Sequence, residues 1–127
     1  MAYDFQTMML TRETAQELAE HWIAAWNSHD LDAIMSHYIE EVVLISPVAA
    51  RLLGDPSGTV KGKAALRAYF QKGLEFYPQL RFDLMDVMWG LSSLVLYYTN
   101  QKGTKSGEYM EVNAAGKITR VVANYAE

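Results

Sequence analysis

Glu108 is the residue of this sequence whose type and setting best suit acid–base chemistry. It alternates with Met110 and Val112 along a predicted strand. Because alternate side chains of a strand share one face, we expect its carboxyl group to point towards the same apolar interior as they do. A carboxyl group in an apolar, partly dry pocket has a raised pKa, which suits a general acid or base near neutral pH. The alternative is a structural carboxylate near a strand end that reaches solvent or Arg120.

The remaining polar residues indicate neither a metal site nor a cofactor site. The three histidines, His21, His29 and His37, are eight residues apart, a spacing about 80° off a shared helical face, and we predict no pair of metal ligands among them. Residues 58–64 approach a phosphate-binding loop, but Ala64 stands where Ser or Thr must bind magnesium. Cysteine is absent, which excludes a thiol nucleophile and a cysteine zinc site.

Length, charge and composition restrict the class of protein. The 127 residues, of which 50% are apolar and 20% charged, predict a single domain over residues 1–127. A net charge of −4 with scattered basic residues argues against nucleic acid as a partner. The longest apolar runs, near residues 42–45 and 94–98, are too short to span a membrane. Residues 1–10 contain neither Lys nor Arg, so no secretion signal is predicted. We therefore expect a soluble, cytoplasmic protein.

The spacing of apolar residues predicts three helices in the first half of the chain. Helical spacing covers residues 12–27 and 63–77, with Thr11 as the cap of the first helix. A short helix capped by Asp30 is expected between them. Residues 40–46 are typical of a strand. Residues 47–62 are predicted to form a loop, whose length is common among functional lids.

Four antiparallel strands are predicted in the second half of the chain. They cover residues 80–89, 93–101, 106–113 and 117–125, separated by turn residues. The alternation slips within the first of them, which predicts a β-bulge near Met85 and Asp86. Residues 94–98 are apolar on both faces, so both faces need cover. Helices can cover one face, and a second copy of the chain the other, which predicts a homodimer through the outer sheet face.

Several short segments, in their order along the chain, carry a family resemblance. They are Ala25–Ala33, Tyr38 with Glu40–Val43, Gly62–Leu66 with Tyr69 and Phe70, and Asn113–Ile118. Together they resemble the nuclear transport factor 2-like fold, in its SnoaL-like and ketosteroid-isomerase branch, over about residues 17–125. The resemblance implies an α+β fold in which a cone-shaped, curved antiparallel β-sheet packs against the three helices. An apolar cavity, open at one end, then lies between them.

Carried over position by position, the resemblance to ketosteroid isomerase is incomplete. The place of its aspartate base falls on Ser46, and the place of its oxyanion-binding tyrosine falls on Trp22, whose indole N–H can donate a hydrogen bond. The place of its protonated aspartate falls on Glu108. One acidic group of that set remains, so the residues for steroid isomerisation are not reproduced.

The resemblance also implies which side chains line the cavity and bind a small apolar or aromatic molecule. These are Trp22, Trp26, Tyr38, Phe70, Tyr97, Met110 and Tyr125. The same spacing also fits a plain hydrophobic core. Three functions therefore stay open: a cofactor-free isomerase, cyclase or dehydratase with Glu108 as its acid–base group, a non-catalytic ligand-binding protein, and an interaction module that uses the sheet face.

Overall fold

The structure, a computed structural model, describes residues 10–127. The expectation about a secretion signal concerns residues 1–10. Nine of these ten residues lie outside the described part of the chain. The elements are α1 (Arg12–Ser28), α2 (Leu31–Met35), β1 (Tyr38–Ile45), α3 (Pro47–Leu53), β2 (Thr59–Lys61), α4 (Lys63–Phe76), β3 (Asp83–Trp89), β4 (Ser93–Thr99), β5 (Lys105–Val112) and β6 (Ile118–Ala126). The α+β class predicted from the sequence is confirmed.

The six strands form one sheet in the order β2-β1-β6-β5-β4-β3. Strands β3 to β6 form the predicted antiparallel meander, but β1 pairs with β6 in parallel. The sheet is therefore mixed rather than purely antiparallel, because its first and last long strands are joined by a long crossover that permits parallel pairing. On β3, Leu84 pairs with Tyr98 and Asp86 with Tyr97. Met85 is the extra residue between them, which confirms the predicted bulge.

Side-chain caps fix where the first two helices begin. Thr11 and Thr14 cap each other's backbone N–H groups at the start of α1, and Asp30 accepts from the first N–H groups of α2. Both caps agree with the sequence analysis. Helix α1 ends at His29, whose φ of 58° places it in the left-handed conformation that reverses the chain.

Residues 47–62, predicted as a loop, instead form helix α3 and strand β2. The Ser46 hydroxyl accepts a hydrogen bond from the Val48 backbone N–H at 3.1 Å, and Pro47 occupies the first helical turn. Gly54, with φ 65°, ends the helix. The prediction of a loop, and the count of three helices, are wrong because Ser46 and Pro47, at the end of the predicted strand, also form the cap and the first turn of a helix.

The helices cover one face of the sheet and leave the other face open. Helix α1 contacts β3, and α4 contacts β1. The inward-facing residues of β4 and β5 are buried: Leu94, Leu96, Tyr98, Ser106, Glu108, Met110 and Val112. Their neighbours along each strand face outwards and are only half-buried. No helix among residues 10–127 is long and apolar enough to cross a membrane.

Candidate functional site

A cavity of about 400 Å³ lies between the helices and the inner face of the sheet. This volume is within the range of small-molecule binding sites. Its lining comes from α1, α3 and α4 and from strands β1, β4, β5 and β6. The lining divides into an aromatic wall on the helix side, a polar wall on the sheet side and a charged opening.

The aromatic wall is built mainly from two tryptophans of α1. The Trp22 ring stacks on Phe82, with ring centroids 5.8 Å apart and ring planes within 13°, while Trp26 meets Phe70 edge-on at 4.7 Å. Phe82 precedes β3 and is held there by Asn27, which accepts from the Phe82 N–H at 2.7 Å and donates to its carbonyl at 2.9 Å. These contacts make a well-supported apolar surface for a flat ligand.

The turn after α1 supports this wall. His29 Nε2 lies 2.7 Å from the Leu80 carbonyl oxygen, so the turn also holds the start of the segment that carries Phe82. His29 itself is half-buried, and this contact joins it to a residue fifty-one positions further along the chain.

Glu108 lies on the polar wall with its side chain buried. Its Oε1 accepts a hydrogen bond from the Tyr98 hydroxyl at 2.8 Å. Within residues 10–127, no ion pair engages the carboxyl group. Burial raises its pKa to about 7, and the Tyr98 hydrogen bond opposes that rise. Arg120, the alternative partner considered from the sequence, lies opposite Glu111 in the strand register, on the outward-facing side of the sheet.

Several neutral hydroxyl groups surround this carboxyl group. Ser106 lies two residues before Glu108 and, in the strand register, between Tyr98 and Tyr125. The Ser106 hydroxyl is buried and makes no hydrogen bond to any residue of the described part of the chain. Burial, assisted by the charge of Glu108, raises the pKa of both Tyr98 and Tyr125 far above the ordinary value for a phenol. These phenols therefore stay neutral and act as hydrogen-bond donors or acceptors.

Tyr69 on α4 adds a further hydroxyl to the lining, and Ser46 at the start of α3 adds another. Burial raises the pKa of Tyr69 to about 12, while the neighbouring Ser46 side chain opposes the shift. The polar wall thus holds one titratable carboxyl group among neutral hydroxyls. It has the donors that a ligand carbonyl or hydroxyl group needs.

The structure places only some of the predicted catalytic and ligand-binding residues at the cavity. The predicted residues that line the cavity are Trp22, Trp26, Phe70, Glu108 and Tyr125. Tyr38 and Met110 are buried behind the lining. Tyr97 faces outwards, and Tyr98 lines the cavity in its stead. Residues 94–98 are apolar on both faces, so alternation alone could not decide which tyrosine faces inwards.

The hydrogen-bond donor predicted at Trp22 is already used within the protein. Trp22 Nε1 donates to the Tyr38 hydroxyl at 3.0 Å. Trp26 Nε1, in contrast, is buried without a hydrogen-bond partner in residues 10–127. Within these residues the cavity lining therefore has two unsatisfied buried polar atoms, one on Trp26 and one on Ser106, each of which is costly unless something binds it.

Sequence reasoning missed Ser106, Tyr69 and Phe82. Ser106 shares strand parity with Glu108, so the same rule could have found it. Phe82 gave no sequence signal, because its place depends on the side chain of Asn27, fifty-five residues away. Among the described residues there is no group of three or more His, Asp or Glu side chains that could hold a metal ion.

Two cations lie at the opening of the cavity. Arg51 of α3 and Lys102 of the turn between β4 and β5 both line the cavity and are exposed to solvent. Arg51 Nη2 is 3.6 Å from Glu127 Oε1. The Lys102 ammonium group lies 5.7 Å from the centroid of the Tyr77 ring.

Comparison with known proteins places this architecture among characterised folds. The profile of the SnoaL-like domain matches residues 19–123. A SnoaL-like protein of unknown function from Burkholderia thailandensis is 34% identical, with a TM-score of 0.89 over 94% of this chain and 99% of that one. No curated protein matches the sequence.

More distant structures share the fold alone. A protein of unknown function with a cystatin-like fold from Methylobium petroleophilum is 17% identical, with a TM-score of 0.74 over 94% of this chain and 80% of that one. A candidate ketosteroid isomerase from Kribbella flavida is 18% identical, with a TM-score of 0.72 over 91% of this chain and 79% of that one. At such identities the likeness does not extend to chemistry.

Proposed function

The chain belongs to the SnoaL-like domain family, and on that basis we propose that it binds a small apolar or aromatic molecule in its cavity and moves a proton on that molecule through Glu108. The observation that carries the proposal is the state of this one carboxyl group. It is buried, lines the cavity, has no cation beside it in the described part of the chain and has a pKa of about 7. Such a group is half protonated at neutral pH and can both accept and return a proton.

The chemistry that fits is an isomerisation next to a carbonyl group. The Glu108 carboxylate takes a proton from a carbon beside the carbonyl, and the electron pair of the C–H bond moves into an enolate. A neutral donor stabilises the enolate oxygen, and the Ser106 hydroxyl, which has no hydrogen-bond partner among the described residues, is suited to that role. Where a carbon–carbon double bond adjoins that carbon, the enolate extends over it. Glu108 then returns the proton to the far carbon, and the double bond moves into conjugation with the carbonyl group. Tyr98 holds Oε1, which fixes the orientation of the carboxyl group.

A non-catalytic ligand-binding protein is the second candidate. Two observations favour it: Ser46 caps α3 where the isomerase template has its aspartate base, and the Trp22 indole N–H is occupied by Tyr38. A binding protein needs only the aromatic wall and the two unsatisfied polar atoms. Both candidates use the same cavity, so an activity measurement is needed to separate them.

Deuterium exchange into 2-tetralone tests the catalytic proposal, because this small aromatic ketone has acidic protons beside its carbonyl group. We expect the wild type to accelerate exchange in D2O at neutral pD and Glu108→Gln to lose that acceleration. The variant should still bind the neutral dye N-phenyl-1-naphthylamine within about tenfold, since an amide and a carboxyl group have similar shapes. Glu111→Gln, on the outer face of the same strand, is the matched control. Dye binding without exchange in the wild type would favour the binding protein.

We also propose that a second copy of the chain covers the outer face of the sheet. In the strand register, an apolar row crosses five strands through Met88, Val95, Tyr109, Val122 and Ile45. Met88 is 55% exposed, and the others are half-buried. The row starts on the edge strand β3 and reaches β1, next to the opposite edge strand β2. A continuous apolar row of this length can pack against the same row of a symmetry-related copy.

A further inference from the structure

The geometry points to an anionic group on the ligand, bound at the opening of the cavity by Arg51 and Lys102. The ligand class is then an amphipathic organic anion, with an apolar or aromatic body and a carboxylate, sulfonate or similar group at one end. This inference rests on the proposed function, because it concerns the ligand of the same cavity.

The charge distribution of the chain makes these two cations stand out. The chain has a net charge of −4, yet the basic residues that line the cavity both lie at its opening. Arg51 is in the last turn of α3, and Lys102 is in the turn that connects β4 and β5. Two unrelated segments therefore place positive charge at the same opening, where it attracts anions.

Arg51 is held only loosely by Glu127. Its contact with Glu127 is 3.6 Å long, whereas a charge-assisted hydrogen bond is about 2.7–2.9 Å. The side chains are 55% and 59% exposed, respectively, and solvent-exposed pairs of this kind contribute little free energy. Arg51 also lies near enough to Tyr69 and Tyr125 to favour their charged forms, so it can face the interior. A ligand anion can therefore replace Glu127 on the guanidinium group.

Lys102 is positioned without being neutralised. Its ammonium group lies over the Tyr77 ring, a cation–π contact that orients the side chain while leaving its N–H donors available. No carboxylate of the described residues pairs with it. Arg51, Tyr77 and Lys102 all line the cavity, so positive charge and an aromatic ring lie together at the opening.

The interior sets the orientation of such a ligand. Glu108 is the acidic group deep in the cavity, and an anionic end beside it would meet like charge whenever the carboxyl group is ionised. The anionic end therefore lies at Arg51 and Lys102, and the apolar body lies between the aromatic wall and Glu108. The reacting carbon of the proposed function then belongs to the inner end of the ligand.

A matched pair of fluorescent dyes tests the inference. The neutral dye is N-phenyl-1-naphthylamine, and the anionic dye is 8-anilino-1-naphthalenesulfonate, which has the same aromatic body with a sulfonate group added. We expect Arg51→Gln and Lys102→Gln each to weaken binding of the anionic dye by about fivefold to tenfold, the low end for a charge-assisted contact that is partly exposed. Binding of the neutral dye should change by less than about twofold. Glu127→Gln should strengthen binding of the anionic dye, because it removes the competing carboxylate.

Two control variants complete the experiment. Lys61→Gln removes a positive charge from β2, outside the lining, and should leave both affinities unchanged. Gly73→Phe places a ring at the lining from a position where a Cβ meets nothing within 4 Å, so the helix tolerates it while the cavity is blocked. It should abolish binding of both dyes.

The outcomes separate the inference from the proposed function. If neither dye binds the wild type, the cavity is not a ligand site and the proposed function fails with the inference. If the neutral dye binds but Arg51→Gln and Lys102→Gln leave the anionic dye unaffected, only the inference is overturned. Binding of the anionic dye that survives Gly73→Phe also overturns it, because the sulfonate is then recognised elsewhere.

Discussion

The pH dependence of stability should reveal the buried carboxyl group of Glu108. Its pKa is about 7 in the folded protein, against the ordinary value of 4.5 for a glutamate side chain, which applies to the unfolded chain. Above pH 4.5 the folded state therefore holds a proton that the unfolded chain has lost, and the free energy of unfolding falls as pH rises. The linkage relation gives a loss of about 2 to 3 kcal/mol between pH 5 and pH 8, nearly complete once pH exceeds 7.

Urea denaturation of the wild type and Glu108→Gln at pH 5, 6, 7 and 8 measures this effect. The difference in unfolding free energy between the two proteins removes the contribution of every other titrating group. It should move in favour of the variant by about 2 to 3 kcal/mol across this range. Glu111→Gln controls for the loss of one charge from the same strand. A difference that stays constant, or that moves in favour of the wild type as pH rises, would refute the reasoning.

Three further predictions concern the Tyr98 hydroxyl group, the backbone at Gly58 and the outer face of the sheet at Val95. Tyr98→Phe removes the hydrogen bond that opposes the raised pKa of Glu108, so the midpoint of the stability profile should move upwards by up to about one pH unit. Gly58→Ala should destabilise the fold by at least about 2 kcal/mol in urea denaturation, because its Cβ would lie 2.5 Å from the Ser46 carbonyl oxygen at a φ of 59°. Val95→Lys should give a monomer in analytical ultracentrifugation while the neutral dye still binds, and an unchanged association state would contradict the proposed dimer.

Local signals made most of the fold predictable. The caps at Thr11 and Asp30 and the bulge at Met85 each depend on a few neighbouring residues, and the sequence displays them directly. Helix α3 has equally clear local signals at Ser46 and Gly54, but Pro47 and Gly54 are also typical of a loop, so the same residues fit both structures. The parallel pairing of β1 with β6 depends on residues eighty positions apart, which no local pattern encodes.

The candidate site was predictable where strand parity decides it and unpredictable where tertiary contacts do. The inward orientation of the Glu108 side chain follows from the alternation of side chains along one strand. Tyr97 and Tyr98 differ only in which face of β4 they occupy, and the apolar character of both faces hides that difference. The use of the Trp22 indole by Tyr38 depends on a contact between α1 and β1, so the available donor could not be assigned from the sequence.

The most direct test of the account is a titration of the Glu108 carboxyl carbon by NMR, with and without N-phenyl-1-naphthylamine. The resonance is assigned from its loss in Glu108→Gln. We predict a midpoint near 7 in the free protein and a higher midpoint with the dye bound, because a ligand in the cavity removes the remaining water from the carboxyl group. A midpoint near 4.5 in the free protein, or one that bound dye does not move, would contradict the claim that this carboxyl group faces the ligand site.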